Sequence, residues 1–108
     1  MSDRALYKSK RSQATDIPKE VKDVVWERDG GRCIFCGNAY ARPEAHVVPR
    51  SAGGLGVEKN IITVCRRCHT VLDQTPRRDR MLAQAKHYLF SLYGEFDDEE
   101  VMYNAHSN

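Results

Sequence analysis

The sequence predicts a small α+β domain that is cross-linked by a metal ion. Three features lead to this prediction: two Cys-x-x-Cys pairs, a β-branched segment beside a glycine-rich loop, and two stretches with helical periodicity. All four cysteines of the 108-residue chain belong to the two pairs. Because the apolar core of so short a chain gives only modest stability, a bound metal would add to it.

The first predicted element is a helix that begins near Pro18. Val21 and Val24 fall on one face of this helix, and Gly30 supplies its end. Residues 1–15, which precede it, are polar and basic without apolar periodicity. They are expected to form a flexible basic arm.

Two extended segments are predicted on either side of a long loop. Residues 44–48 lie between two prolines, and residues 60–64 (NIITV) are rich in β-branched side chains. The connecting sequence PRSAGGLGVEK contains three glycines and cannot be regular structure throughout. The pattern predicts a hairpin whose loop has a functional role.

Two further helices and an acidic tail complete the predicted organisation. Residues 65–72 have the length for a short helix, and residues 80–93 repeat apolar side chains at helical spacing up to Gly94. The predicted divisions are the arm, a domain over residues 16–94, and a frayed tail over residues 95–108.

Charge is unevenly distributed along the chain. The first 94 residues carry 17 basic and 10 acidic side chains, whereas residues 95–108 carry five acidic and no basic ones. A basic body suits a polyanionic partner such as nucleic acid, and a solvated charged face is the alternative. With no apolar run near the ~20 residues that cross a bilayer and no signal peptide, we expect a cytoplasmic protein without membrane contact.

The cysteines predict a structural zinc site. Four thiolates in two such pairs form a closed tetrahedral site, and sulfur ligands favour zinc over hard cations. The predicted ligands are Cys33, Cys36, Cys65 and Cys68. A redox dithiol is the alternative, although redox motifs usually occur singly. Because a closed site has no open coordination position, this zinc would not be catalytic.

Two histidines and an asparagine are interleaved with the cysteine pairs. His46, followed by the glycine-rich loop and then by Asn60-Ile-Ile-Thr-Val-Cys-Arg-Arg-Cys-His69, resembles the HNH endonuclease family in its subgroup with a four-cysteine zinc site. The resemblance covers residues 18–75. It implies the ββα-metal fold, also called the His-Me finger, with flanking helices.

The resemblance also implies a metal-dependent DNA endonuclease or nickase in a bacterial or phage-infected cell. His46 would be the general base that activates water, and Asn60 would orient it through a hydrogen bond across the loop. His69 would bind a divalent ion that stabilises the leaving 3′ oxygen: Mg²⁺ or Mn²⁺, with Ni²⁺ a substitute in vitro. The products would carry 3′-hydroxyl and 5′-phosphate ends.

Ala45 departs from the pattern of that family. Many members have an Asp or His metal ligand directly before the base, and alanine cannot serve as one. Glu44 shares a strand face with His46, and Asp73 lies one helical turn after His69. The helical spacing favours Asp73 as the second ligand, with Glu44 as the alternative.

Three arginines flank the predicted site and are expected to contact the DNA backbone: Arg50, Arg66 and Arg67. Trp26, Phe35 and Leu72 are expected in the core around the zinc rather than as surfaces on which bases stack.

Ala45 leaves two other functions open. The chain could be a zinc-ribbon DNA-binding module without catalysis, or a protein-binding adaptor that docks through its acidic tail or last helix. The sequence shows no separate recognition domain, so a protein partner could supply specificity for the DNA sequence.

Overall fold

The computed structural model describes residues 9–74 and 76–104. The elements in chain order are α1 (Lys10–Thr15), α2 (Lys19–Arg28), β1 (Ala41–His46), a 3-10 turn (Arg50–Ala52), β2 (Ile61–Cys65), α3 (Arg66–Gln74), α4 (Arg78–Tyr93) and a second 3-10 turn (Asp98–Val101). The two strands are antiparallel, and α3 follows β2 without a linker. The predicted α+β class and the ββα order are confirmed.

The strand β1 contains an irregularity at Pro43. Ala41 pairs with Cys65 and His46 pairs with Ile61, but the register shifts between Arg42 and Ala45. A proline has no N–H to donate to the ladder, so strands tolerate it at such bulges. The first strand therefore starts and ends earlier than the predicted residues 44–48.

The strand β2 is buried along its whole length. Its β-branched side chains are buried on both faces of the strand, as is typical of a strand enclosed by other elements. It begins one residue later than predicted, so that Asn60 lies in the loop and not in the strand.

The apolar core lies between the sheet and the last two helices. Ala45 and Ile62 are fully buried, and Leu72 of α3 and Leu89 of α4 are at most 2% exposed. The expected core position of Leu72 is confirmed. The expectation for Trp26 is wrong, because its side chain is 39% exposed.

The predicted helices are present with small differences in length. The first corresponds to α2, for which Pro18 occupies the N-cap position. The last, α4, begins two residues earlier than predicted and ends at Gly94, whose positive φ of 80° suits a glycine. None of the helices in residues 9–74 and 76–104 has the length and apolar character needed to cross a membrane.

A buried arginine fixes the chain just before β2. The Arg28 side chain donates hydrogen bonds to the carbonyl oxygens of Glu58 (2.7 Å) and Ile61 (2.8 Å), on either side of Asn60. It also pairs with the carboxylate of Asp29 at 2.7 Å, and both side chains are at most 10% exposed. A paired, fully hydrogen-bonded buried arginine is tolerated in the interior and holds this segment in one place.

The N-terminal arm is packed against the hairpin loop where it is described. Residues 1–8 of the expected flexible arm lie outside the described residues, and residues 10–15 form α1. The Arg11 guanidinium donates to the carbonyl of Ser51 at 2.8 Å, and the Gly56 N–H donates to the carbonyl of Ala14 at 3.0 Å. Contacts between such distant residues leave no periodic pattern in the sequence. The sequence therefore suggested an arm without structure.

The acidic tail packs on the same loop from the other end of the chain. The Leu55 N–H donates to the carbonyl of Val101 (2.8 Å), and the Tyr103 N–H donates to that of Gly53 (2.7 Å). Val101 is 2% exposed. The expectation of a frayed tail therefore does not describe residues 98–103, and residues 105–108 lie outside the described residues.

Candidate active site and metal centre

The four cysteines form one cluster at the junction of the hairpin and α3. Their sulfur atoms all lie within 4.8 Å of one another, and the Sγ atoms of Cys36 and Cys65 are 3.6 Å apart. Tetrahedral zinc with Zn–S bonds of about 2.3 Å places sulfur atoms roughly 3.8 Å apart. The cluster therefore has the dimensions of a four-thiolate metal site.

The thiol pKa values reflect the close packing of the four cysteines. Burial raises the pKa of Cys33, but backbone N–H groups, with that of Cys65 foremost, more than offset this effect and bring the pKa to about 7. Burial and the neighbouring thiols raise the pKa of Cys68 above its ordinary value. Several thiolates cannot share this space without a positive ion, and all are ionised when they coordinate one.

An open cavity of about 590 Å³ lies between the connection from α1 to α2, strand β1 with the loop that follows it, and helices α3 and α4. The site residues predicted from the sequence that line it are His46, Glu44, Arg50, His69 and Asp73. The fold thus brings together five side chains that are up to 29 positions apart in the sequence.

His46 lies at the end of β1 and contacts the N-terminal segment. Its Nε2 is 2.8 Å from the carbonyl oxygen of Thr15. Because a carbonyl oxygen only accepts, Nε2 must carry the proton, and Nδ1 is then the nitrogen that can accept one. Burial lowers the pKa of His46 below its ordinary value, and the charge of Arg50 lowers it further, although the Thr15 carbonyl acts in the opposite direction. The imidazole is therefore neutral near pH 7.

His69 and Asp73 face each other on α3. The distance from His69 Nε2 to Asp73 Oδ2 is 3.5 Å, and both side chains are accessible from the cavity. Glu44 also lines the cavity, but its carboxylate pairs with the Lys22 ammonium at 3.4 Å. An imidazole and a carboxylate at i and i+4 form a suitable pair for one divalent ion.

Asn60 does not reach the cavity but organises the loop beneath it. Its side chain is fully buried. The Oδ1 atom accepts from the Val48 N–H at 2.8 Å, and Nδ2 donates to the carbonyls of Val48 (3.1 Å) and Leu55 (2.9 Å). The carboxamide thus closes the loop that connects His46 to β2.

The comparisons with known proteins agree with this geometry. Residues 33–81 match the family model described as HNH endonuclease. The segment includes all four cysteines together with His46, Asn60 and His69. This part of the chain is similar to the HNH endonuclease family. No curated protein gives a significant match to the chain.

The match to this family indicates a nuclease-type function with a nucleic acid as substrate. The resemblance drawn from the sequence is therefore confirmed at the level of the family and of the fold. The family does not by itself assign a role to any single side chain.

The three arginines expected to contact DNA lie in three different places on the HNH domain. Arg50 lines the cavity, where its guanidinium is 2.6 Å from the Asp16 carboxylate. Arg66 lines a neighbouring groove that it shares with His69. Arg67 lies beside Cys36 in a third groove next to the cysteine cluster.

Sequence reasoning missed several groups at the cavity. Asp16 and Lys22 line it, and the Thr15 carbonyl contacts His46. The charged residues resemble ordinary surface side chains in the sequence, and every residue has a carbonyl, so no local pattern could have identified these groups.

The cysteine cluster predicts that the HNH domain loses stability without its metal. We expect one zinc per chain by elemental analysis, because the four-sulfur donor set favours that ion. Chelation should lower the melting temperature by roughly 10 °C or more, since metal binding contributes directly to folding in small domains. Circular dichroism during heating gives the measurement.

Replacing Cys36 removes a metal ligand without disturbing the packed core, because this cysteine is exposed. Added zinc should restore the melting temperature of the chelated wild type but not that of the Cys36→Ser protein. Equal melting temperatures for the metal-loaded and chelated wild type would contradict a structural metal site.

Proposed function

We propose that the chain is a metal-dependent DNA endonuclease or nickase in which His46 is the general base. One observation supports this proposal above the others: His46, with Nε2 bonded to the Thr15 carbonyl, lines the same cavity as the His69–Asp73 pair. Hydrolysis of a phosphodiester needs a base for water beside a site for positive charge. The family match supplies the reaction class.

In this proposal, Nδ1 of His46 takes the proton from the attacking water. The bond from Nε2 to Thr15 fixes the ring and its tautomer, so that the lone pair of Nδ1 is available. Protonation of the ring strengthens that bond, because the carbonyl dipole then faces a cation. The Thr15 carbonyl would therefore both orient the base and stabilise its charged form.

His69 and Asp73 are the proposed protein ligands of a divalent ion such as Mg²⁺ or Mn²⁺. When bound, that ion would neutralise charge on the phosphate and on the leaving 3′ oxygen. Within the described residues, the cysteine cluster is the only group of three or more side chains arranged for a metal. Two protein ligands with the remainder from water and phosphate are usual for Mg²⁺.

Arg50 is the proposed contact for the scissile phosphate. Its ion pair with Asp16 is half-exposed, and such pairs contribute little stability. A phosphate can therefore replace the Asp16 carboxylate as the partner of Arg50 at small cost. Bidentate contacts of this kind position a backbone without reading its sequence.

The alternative is a DNA-binding module without catalysis, and the position of Ala45 supports it. Ala45 is fully buried in the core, so the position before His46 provides neither a ligand atom nor access to the cavity. Metal-dependent cutting distinguishes the two functions, because a module without catalysis would bind DNA but would not cut it when the ion is added.

Replacing His46 should remove cleavage but keep binding. Supercoiled plasmid is incubated with zinc-loaded protein and either Mg²⁺ or Mn²⁺, and nicking is followed on gels. We expect His46→Ala to lower the nicking rate by about 10²–10⁴-fold, the range that a general base contributes. Affinity for DNA should stay within about threefold, because the phosphate contacts remain.

The matched control is His87→Ala, since His87 is an exposed histidine on α4. This variant should nick at the wild-type rate. Wild-type activity in the His46→Ala protein would refute the proposed base, and DNA binding without nicking in every preparation would favour the module without catalysis.

Replacing each of the two candidate carboxylates should affect binding of the catalytic ion differently. Titration of zinc-loaded protein with Mn²⁺, followed by the loss of the free-ion EPR signal, gives the affinity without DNA. Asp73→Asn should weaken Mn²⁺ binding by about tenfold or more, the scale found when metal sites lose a supporting group. Glu44→Gln should change it by less than about twofold, because Glu44 is engaged with Lys22. The reverse order would make Glu44 the ligand.

A further inference from the structure

A second groove adjoins the active-site cavity and differs from it in its lining. Its volume is about 730 Å³, and it shares only Glu44 and His69 with the cavity. The groove is lined by two aromatic rings, Trp26 and Tyr40, and by two arginines, Arg42 and Arg66. The proposed mechanism uses neither of the aromatic rings.

The two rings are exposed although their size favours burial. Tyr40 is 88% exposed and Trp26 is 39% exposed. Burying an aromatic side chain is strongly favourable, so a pair of exposed rings in one groove offers binding energy to a flat partner. The rings come from separate elements, Trp26 from α2 and Tyr40 from the segment before β1.

The Trp26 ring is held by its surroundings. A Cβ on Gly31 would lie 3.1 Å from the Trp26 ring, so the indole packs closely against this glycine. At Tyr40 the backbone is fixed, because its N–H donates to Oδ1 of Asn38 at 2.8 Å, while the ring itself remains exposed. Less conformational entropy is lost when a ligand binds to a group that is already positioned, which favours stacking on Trp26.

The arginines give the groove a positive charge next to these rings. Arg42 pairs with Val64 across the sheet, and Arg66 is the first residue of α3, three positions before His69. Guanidinium groups hold phosphates and also stack on bases. Aromatic rings interleaved with arginines are the chemistry by which proteins hold the bases and backbone of a single strand.

We propose that this groove binds an unpaired nucleobase of single-stranded DNA, which stacks on Tyr40 and Trp26 while Arg42 and Arg66 hold the adjoining phosphates. The base faces are covered in a duplex, so only an unpaired or extruded nucleotide can enter. The link to cleavage rests on the proposed function, because the groove meets the active-site cavity at His69. A strand bound in the groove would place its next phosphate near the proposed metal ligands.

Trp26 makes the groove directly observable, because it is the only tryptophan in the chain. Zinc-loaded protein without added divalent ion is titrated with a short oligothymidylate, and the tryptophan fluorescence is recorded. A stacked base should quench this fluorescence. The same oligonucleotide paired with its complement should not, because its bases are unavailable.

Variants of Tyr40 test the stacking itself. Tyr40→Ala should weaken binding of the single strand by about 5- to 150-fold, which corresponds to the ~1–3 kcal/mol of one stacked base. Tyr40→Phe retains a ring and should bind within about threefold of wild type. Leu92→Ala is the matched control, because it removes an exposed apolar side chain (47% exposed) from α4, outside the groove.

Equal quenching by duplex and single strand, or unchanged binding by Tyr40→Ala, would overturn the proposal. Because the titration contains no catalytic ion, it is independent of cleavage. Nicking that depends on His46, with no fluorescence change, would establish the nuclease and refute the subsite. Quenching with the expected Tyr40 dependence, but no nicking, would support the subsite and refute the proposed activity.

Discussion

The hydrogen bonds of the Asn60 carboxamide are the interaction on which the site depends. The side chain is fully buried and bonds both polar groups of Val48 and the carbonyl of Leu55, which closes the loop after His46. Each such hydrogen bond makes a net contribution of about 0.5–1.5 kcal/mol to the free energy of unfolding. A buried donor or acceptor left without a partner costs about 1–3 kcal/mol. An aspartate could not replace it, because a carboxylate lacks the two N–H donors. Gly54 completes the turn, since a Cβ there would lie 1.7 Å from the Val48 carbonyl oxygen.

The closed loop in turn provides the surface on which both ends of the described chain pack. The tail bonds to Gly53 and Leu55, and the N-terminal segment bonds to Gly56, where a Cβ would lie 1.9 Å from the Asp16 carbonyl oxygen. This close approach brings the Thr15 carbonyl to His46 and the Asp16 carboxylate to Arg50. The N-terminal segment, which lies outside the matched residues 33–81, therefore contributes directly to the cavity. The sequence suggested a mobile arm and a frayed tail instead.

The parts of the fold that the sequence predicts well are those set by local patterns. Cysteine spacing identified the metal cluster, and the β-branched run of β2 identified a buried strand. The helical spacing of His69 and Asp73 correctly indicated that their side chains meet. The bulge at Pro43 and the packing of α1 depend on contacts between distant residues and were not predictable from periodicity. The expected core position of Trp26 is wrong because an aromatic residue type does not show which face of a helix remains uncovered.

The N-terminal segment holds His46 with its proton on Nε2, through the bond to the Thr15 carbonyl. Long-range ¹H–¹⁵N correlation spectra of the histidine side chains measure this directly in zinc-loaded protein near neutral pH, with His46 assigned from the spectrum of the His46→Ala variant. We predict a neutral His46 in the Nε2–H form in the wild type, and a mixture of tautomers in Gly56→Ala, whose added methyl group displaces the segment that carries Thr15. A wild-type His46 with its proton on Nδ1, or one that is charged at neutral pH, would contradict the account.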